Sequence, residues 1–195
     1  MNESEYLHQG MLHRGRVRHF IVFNLLILTL LWGNQAIARW IPQICQTTTI
    51  TASTPTADFV DNGDGTVTHS KTGLMWKRCS EGQIWNGATC TGAATPYSWQ
   101  GGLQQAEALN NAGGFATFTN WRLPNIKELN SIVEVQCIYP AINATIFPSS
   151  SGLYWSASPY SADATKAWFV QIYNVGFIEL SIKTRLGHLF FVRDR

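Results

Sequence analysis

The stretch Asn120-Trp121-Arg122-Leu123-Pro124-Asn125-Ile126-Lys127-Glu128-Leu129 reads as the entrance to a helix. Pro124 disfavours helical geometry at Leu123, so the incoming chain arrives extended. Asn125 stands where an N-cap is needed. Glu128, three residues on, can return a bond to the cap backbone, which makes a capping box. Behind it Ile126, Leu129, Ile132 and Val133 repeat at helical spacing and give one apolar face. Trp121 and Leu123 alternate onto the same core just before the turn.

Upstream, Ser98 is placed to cap a first helix over residues 99–110, with Trp99, Leu103, Ala106 and Leu109 as its inward stripe. Gly101 and Gly102 weaken that helix by about 1 kcal/mol each relative to Ala. Their small size would let it lie close against a sheet. Asn110-Asn111-Ala112-Gly113-Gly114 stops it.

Before that helix, Phe59-Val60 and Thr66-Val67-Thr68 are strand-like, and Asn62-Gly63-Asp64-Gly65 between them is a hairpin signal. Asp61, Asn62 and Asp64 could gather oxygens around calcium. A full calcium loop needs further spaced acidic positions and a closing Glu, so a plain turn is expected. Leu74 to Arg78 follows as a strand with Trp76 in the core and a polar end at Lys77 and Arg78.

After the second helix, residues 140–148 read as an irregular segment pinned by apolar side chains. The rest is β: residues 154–158 with Trp155, then 167–173, a turn at Asn174-Val175-Gly176, 177–180, and a closing 189–193. Two helices early and a meander late predict a single α+β domain with a largely antiparallel sheet.

The chain has 195 residues, enough for one ordinary domain. Residues 1–38 are set apart as a secretory signal. Arg14, Arg16 and Arg18 flank an apolar run from Phe20 to Trp32, and Ala36-Ile37-Ala38 offers a small-residue cleavage site. That run is shorter than the roughly 20 residues of a spanning helix, so no stable membrane span is expected after cleavage. Residues 39–57, Thr-rich from Gln46 onward, read as an arm or linker, and the domain proper as 58–195.

Removing residues 1–38 takes three of the 14 Lys+Arg and two of the 12 Asp+Glu, which leaves 11 and 10. A balance so near neutral does not suit bulk nucleic-acid binding, so attraction to a polyanion needs a local cluster. All four cysteines lie in the exported part, which predicts two disulfides and allows three connectivities. Cys79–Cys90 is preferred because the segment between them can form a short loop, and Cys45–Cys137 is then the second bridge. Zinc lacks the spacing: there is no C-x-x-C, and only His69 and His188 remain as imidazoles. No metal and no cofactor are expected.

Asp61-Asn62-Gly63-Asp64-Gly65-Thr66-Val67, Thr72-Gly73-Leu74-Met75-Trp76, Trp121-Arg122-Leu123-Pro124 with Glu128-Leu129, Tyr154-Trp155-Ser156 and the closing Val192-Arg193 occur in a familiar order and spacing. In these motifs the chain resembles the C-terminal domain of Legionella collagen-like (Lcl) adhesins, over roughly residues 58–195. The resemblance implies a C-type-lectin-like α+β fold, export to the periplasm, cell surface or medium, and adhesion through sulfated glycosaminoglycans as in some relatives. Those adhesins carry a collagen-like stalk, and this chain has no Gly-X-Y tract. A homo-oligomer is left open. The family brings no catalytic residues with it.

No enzyme is expected. Ser156, His188 and Asp163 could be assembled into a triad, but nothing around Ser156 forms the Gly-x-Ser-x-Gly elbow. Glu128 and Glu134, six apart, do not share a helical face. A related lectin-like fold hosts an oxidase that works with cysteines, yet in a small exported domain Cys79 and Cys90 read as a structural bridge.

Binding, in contrast, has a candidate cluster. Lys183, Arg185, His188, Arg193 and Arg195 crowd the last thirteen positions, opposed only by Asp194. Lys183 and Arg185 alternate with Ile182, Thr184 and Leu186, so on a strand both would project from one face towards sulfate or phosphate groups. The alternative is a charged edge that discourages strand pairing. Tyr97, Tyr160 and Tyr173 are candidate sugar-stacking surfaces, or packing residues. The expected function is an exported, non-catalytic domain that binds sulfated or other polyanionic glycans. Its rival is a structural or protein-interaction module of the bacterial envelope.

Overall fold

The structure, a computed structural model, describes residues 42–195. The signal segment expected over residues 1–38 lies outside the described residues. What is described is a small α+β domain with two helices, antiparallel sheets and two disulfides.

Among the described residues, eleven short strands and two α-helices alternate irregularly. A four-stranded antiparallel sheet joins β2 (Phe59–Asp61), β3 (Thr66–His69), β4 (Leu74–Lys77) and β11 (Val192–Asp194) in the order β11-β4-β3-β2. A three-stranded meander holds β8 (Leu153–Pro159), β9 (Lys166–Gln171) and β10 (Phe177–Ile182). Two small ribbons pair β1 (Ile44–Cys45) with β7 (Cys137–Ile138), and β5 (Ile84–Trp85) with β6 (Cys90–Thr91). The closing segment therefore does not extend the meander. Val192 pairs with Trp76 and returns the chain end to the first sheet.

The reason is visible in the run Leu189-Phe190-Phe191-Val192. Each of the four is at most 1% exposed, and successive residues enter different cores. Phe190 and Val192 join Trp76, Tyr154, Leu129 and Phe147 in one cluster. Leu189 and Phe191 join Trp121, Leu123, Trp155 and Phe169 in the other, beneath the first helix. Side chains alternate along an extended chain, so a strand apolar at every position must be covered on both faces. Tyr154-Trp155 and Phe169-Val170 divide between the same two clusters.

The first helix, α1 (Trp99–Asn111), starts at Ser98, whose hydroxyl accepts from the Gly101 amide. Gly102 is where α1 meets the layer below. A Cβ there would lie 2.8 Å from Leu189 Cδ2, so any larger residue would force the Leu189 side chain to shift. The second helix, α2 (Ile126–Asn130), is a single short element behind the expected capping box. Asn125 Oδ1 accepts from the amides of Lys127 and Glu128, and Glu128 Oε2 accepts from the Asn125 amide at 2.7 Å. The apolar repeat runs past its end: Ile132 and Val133 are buried in the following turn. Asn125→Ala is expected to cost about 1 kcal/mol in a denaturant melt, the usual loss for an N-cap.

Residues 43–56 are an arm held on the domain. Cys45 is bridged to Cys137 across β1–β7, and Gln43 Nε2 donates to the carbonyls of Pro140 and Ile142. Thr54 is 2% exposed, and its amide and hydroxyl both donate to Glu134 Oε2 at 2.9 Å.

Candidate functional site

The hairpin turn before β3 uses its own acids. Asp61 Oδ1 accepts from the Gly63 amide, and Asp64 Oδ1 from the amide and hydroxyl of Thr66. Asp61 Oδ2 takes the Arg78 guanidinium, which also donates to the carbonyls of Thr145 and Ile146. Arg78 and Lys77, expected as a polar strand end, are 6% and 7% exposed. Lys77 Nζ meets Glu81 Oε2 at 2.8 Å and lies over the Phe115 and Phe191 rings. Both cations are tolerated inside because each is paired and hydrogen-bonded.

Of the five basic residues in the C-terminal cluster, Lys183, Arg185, His188 and Arg193 go to three places. Strand β10 ends at Ile182, so Lys183 and Arg185 stand on a turn closed by the Arg185 amide donating to the Ile182 carbonyl at 3.0 Å. They do not project from one strand face. The turn nevertheless keeps them together and gives each an aromatic support. Lys183 Nζ lies 4.2 Å from the Trp99 ring centre and donates to the Ala164 carbonyl at 2.7 Å. The Arg185 guanidinium, exposed, lies 5.4 Å from the Phe169 centre. Among the described residues neither is paired with a carboxylate.

Arg193 is elsewhere. Its guanidinium is 3.9 Å from the Phe118 ring centre, and its Nε donates to Asn120 Oδ1 at 2.8 Å. Phe118 follows the end of α1, whereas Trp99 begins it, and a 13-residue helix is about 20 Å long. Arg193 and Lys183 therefore belong to separate surfaces. His188 is set inside, against the Tyr154 ring and the bare backbone of Gly152, where a Cβ would fall 2.4 Å from its Cδ2. Burial pulls its imidazole below the ordinary 6.5, against a backbone hydrogen bond at Thr95 that raises it. A half-buried imidazole whose charged form is disfavoured reads as a packing residue and does not strengthen a cationic surface.

The Trp-Arg-Leu-Pro stretch is structural at every position. Trp121 and Leu123 are each 2% exposed, and Pro124 is buried. Arg122 grips both Glu128 oxygens, at 2.8 and 2.9 Å, and reaches Asp194 at 3.0 Å. This clamp joins α2 to β11. The sequence carried no local sign of it, because Asp194 is 72 residues away. Trp76 and Trp155 are core, at 0% and 1% exposure.

The triad candidates are dispersed. Ser156 Oγ donates to the Trp168 carbonyl at 2.8 Å, and Asp163 is committed to Thr165 and Lys166 on a surface turn. Of the tyrosines, Tyr97 packs beneath α1, Tyr160 stands edge-on to Trp168, and Tyr173 is exposed. Glu134, on no helix, accepts bonds from Ser53, Thr54 and Gln136. Both disulfides have the preferred pairing, Cys45–Cys137 and Cys79–Cys90. Among the described residues no helix is long and apolar enough to cross a membrane.

These positions can be set beside known proteins. No curated protein matches the chain. The model of one family does, described as the Lcl C-terminal domain, and it matches residues 65–193. The match spans β3 to β10 and the start of β11, both helices, the Cys79–Cys90 bridge and the Arg122–Glu128 pair, with β2 and Asp194 outside it; an adhesin-related family, together with the two disulfides of this chain, accords with export. Since residues 65–193 make up more than half of the chain, the protein belongs to the Lcl C-terminal domain family.

Proposed function

We propose that this protein is an exported, non-catalytic adhesion domain that binds sulfated or other polyanionic glycans through the turn carrying Lys183 and Arg185. One observation carries the reading: two neighbouring cations sit on aromatic supports, with no carboxylate partner among the described residues. Aromatic support holds each side chain while leaving its charge free for an anion, by charge-assisted hydrogen bonding. The dispersal of Ser156, His188 and Asp163 into separate packing roles supports a non-catalytic assignment.

A polyanion held by exposed cations is released as salt shortens the screening length from about 10 Å at 0.1 M to about 3 Å at 1 M. The purified protein is expected to be retained on heparin at 0.1 M salt and released well before 1 M. Lys183→Ala/Arg185→Ala should lose most of that retention, while stability changes by no more than about 1 kcal/mol. Lys127→Ala, at an exposed cation on α2, is the control and should be retained like the parent. Lys77 and Arg78 cannot serve as controls, since removing either would leave a carboxylate without its partner. Absence of parental retention, or an unchanged double variant, would refute the assignment.

The second reading, a protein-interaction module of the envelope, draws on the meander's edge. Among the described residues, strand β10 pairs only with β9, and it exposes Phe177, Ile178 and Ile182 at 58%, 43% and 55%. An apolar strand edge is a template for pairing with another chain. A protein that ignores heparin would leave this as the better account.

A further inference from the structure

A cavity of about 300 Å³ opens between the start of β3, the end of β4 and the β5–β6 ribbon, and neither Lys183 nor Arg185 lines it. Trp85 and Phe115 form its aromatic walls over Gly65, whose φ is +85° and where a Cβ would lie 3.1 Å from both rings. The paired Lys77 ammonium and Glu81 carboxylate, 2.8 Å apart, and Gln83 supply its polar side. The Gln83 side-chain carbonyl is buried and, among the described residues, has no hydrogen-bond partner. The Gln83 amide is held by one long bond, 3.4 Å to the Gly92 carbonyl, so a turn of the side chain would bring the unpaired acceptor to a ligand donor in the cavity.

The lining restricts the ligand. Lys77 is already neutralised by Glu81, and Asp64 adds a negative charge at the rim, so an anion finds no net attraction here. A further cation is also disfavoured, because each ring already has one against it: Arg78 lies 4.1 Å from the Trp85 ring centre and Lys77 4.9 Å from that of Phe115. What suits the site is an uncharged molecule with an apolar C–H surface and adjacent hydroxyls. An ammonium donor beside a carboxylate acceptor matches two neighbouring hydroxyl groups, each of which both donates and accepts. Ligand cavities run from about 300 to 1,000 Å³, so this one holds a single ring and not a chain.

We infer that the Trp85–Phe115 cavity is a binding site for one neutral pyranose ring, separate from the polyanion-binding turn. The test is saturation-transfer NMR on the purified protein with neutral methyl glycopyranosides of gluco, galacto, manno and N-acetylglucosamine configuration. At least one should show transfer that is unchanged between 0.1 and 1 M salt, because no net charge is exchanged. Trp85→Ala should abolish it. Gln83→Ala should weaken it several-fold, and that variant is expected to fold, since the Gln83 side chain makes only one long bond, 3.4 Å to the Gly92 carbonyl. Lys183→Ala/Arg185→Ala should leave it intact, so this site and the heparin site fail or succeed independently. With an oligosaccharide, transfer confined to the terminal ring marks a chain end as the ligand, and transfer to monosaccharides alone marks a free sugar. No transfer from any of the four glycosides, transfer that falls with salt, or full transfer in a folded Gln83→Ala would overturn the assignment.

Discussion

Trp121→Ala is expected to lower the free energy of unfolding by about 3–5 kcal/mol, the range for removing a buried large aromatic. The side chain is 2% exposed and packs with Leu123, Trp155, Phe169, Leu189 and Phe191 in the cluster beneath α1. It stands edge-on to Phe115, and its indole N–H donates to the Phe115 carbonyl at 3.0 Å. Truncation therefore opens a ring-sized cavity and also leaves that carbonyl without its donor. Collapse of the surroundings cannot fill the space easily, because the Trp121 backbone is fixed from α1: Asn110 both accepts from its amide and donates to its carbonyl. A denaturant melt showing a loss no larger than the roughly 1 kcal/mol of Asn125→Ala would mean that this stretch does not organise the domain.

The helix entrance was legible because its signals are local. A proline, a cap and a glutamate within five residues define it, and each acts on its own neighbours. The hairpin at Asn62–Gly65 and the cap at Ser98 were legible for the same reason. The length of α2 was not. Ile132 and Val133 continue the helical spacing, yet the Ser131 hydroxyl donates to the Glu128 carbonyl at 2.7 Å and the chain turns away. Burial at a helical interval does not require a helix when a turn can deliver the same residues.

Charge was the harder property to read. Lys77 and Arg78 look like a strand's solvent end, and their carboxylate partners, Glu81 and Asp61, are visible only as ordinary surface acids. The clustering of Lys183, Arg185, His188 and Arg193 in sequence likewise did not carry into space. Position along a chain that turns after β10 and enters two cores at residues 189–192 says little about shared surface. Lys183 and Arg185 stay neighbours because a single turn holds both.

The arm before β2 leads to the second large effect. Removing the Cys45–Cys137 bridge by Cys45→Ser/Cys137→Ser is expected to cost about 2–5 kcal/mol, towards the upper end because the loop it closes spans 92 residues. Loss of the bridge should not by itself release the arm at neutral pH, since Glu134 holds it separately through Ser53 and Thr54. Burial pushes the Glu134 carboxyl up, but bonds from Gln136, Ser53 and Thr54 outweigh that and leave it below the ordinary 4.5. A carboxyl lowered in the fold stabilises it fully above its unfolded value, and that contribution is lost as pH falls through the folded value. The bridged protein should therefore keep its arm in acid, tethered by sulfur. In the unbridged protein the Ser53 and Thr54 amides should be protected from hydrogen exchange near pH 7 and lose that protection in acid, at a pH below the lowered Glu134 value, once intrinsic exchange rates are allowed for. Equal protection at both pH values in the unbridged variant would show that the carboxylate does not hold the arm. Beside the β1–β7 ribbon and the Gln43 bonds, two ties of different chemistry, one sensitive to reductant and one to acid, keep an arm that is Thr-rich and almost uncharged part of the domain.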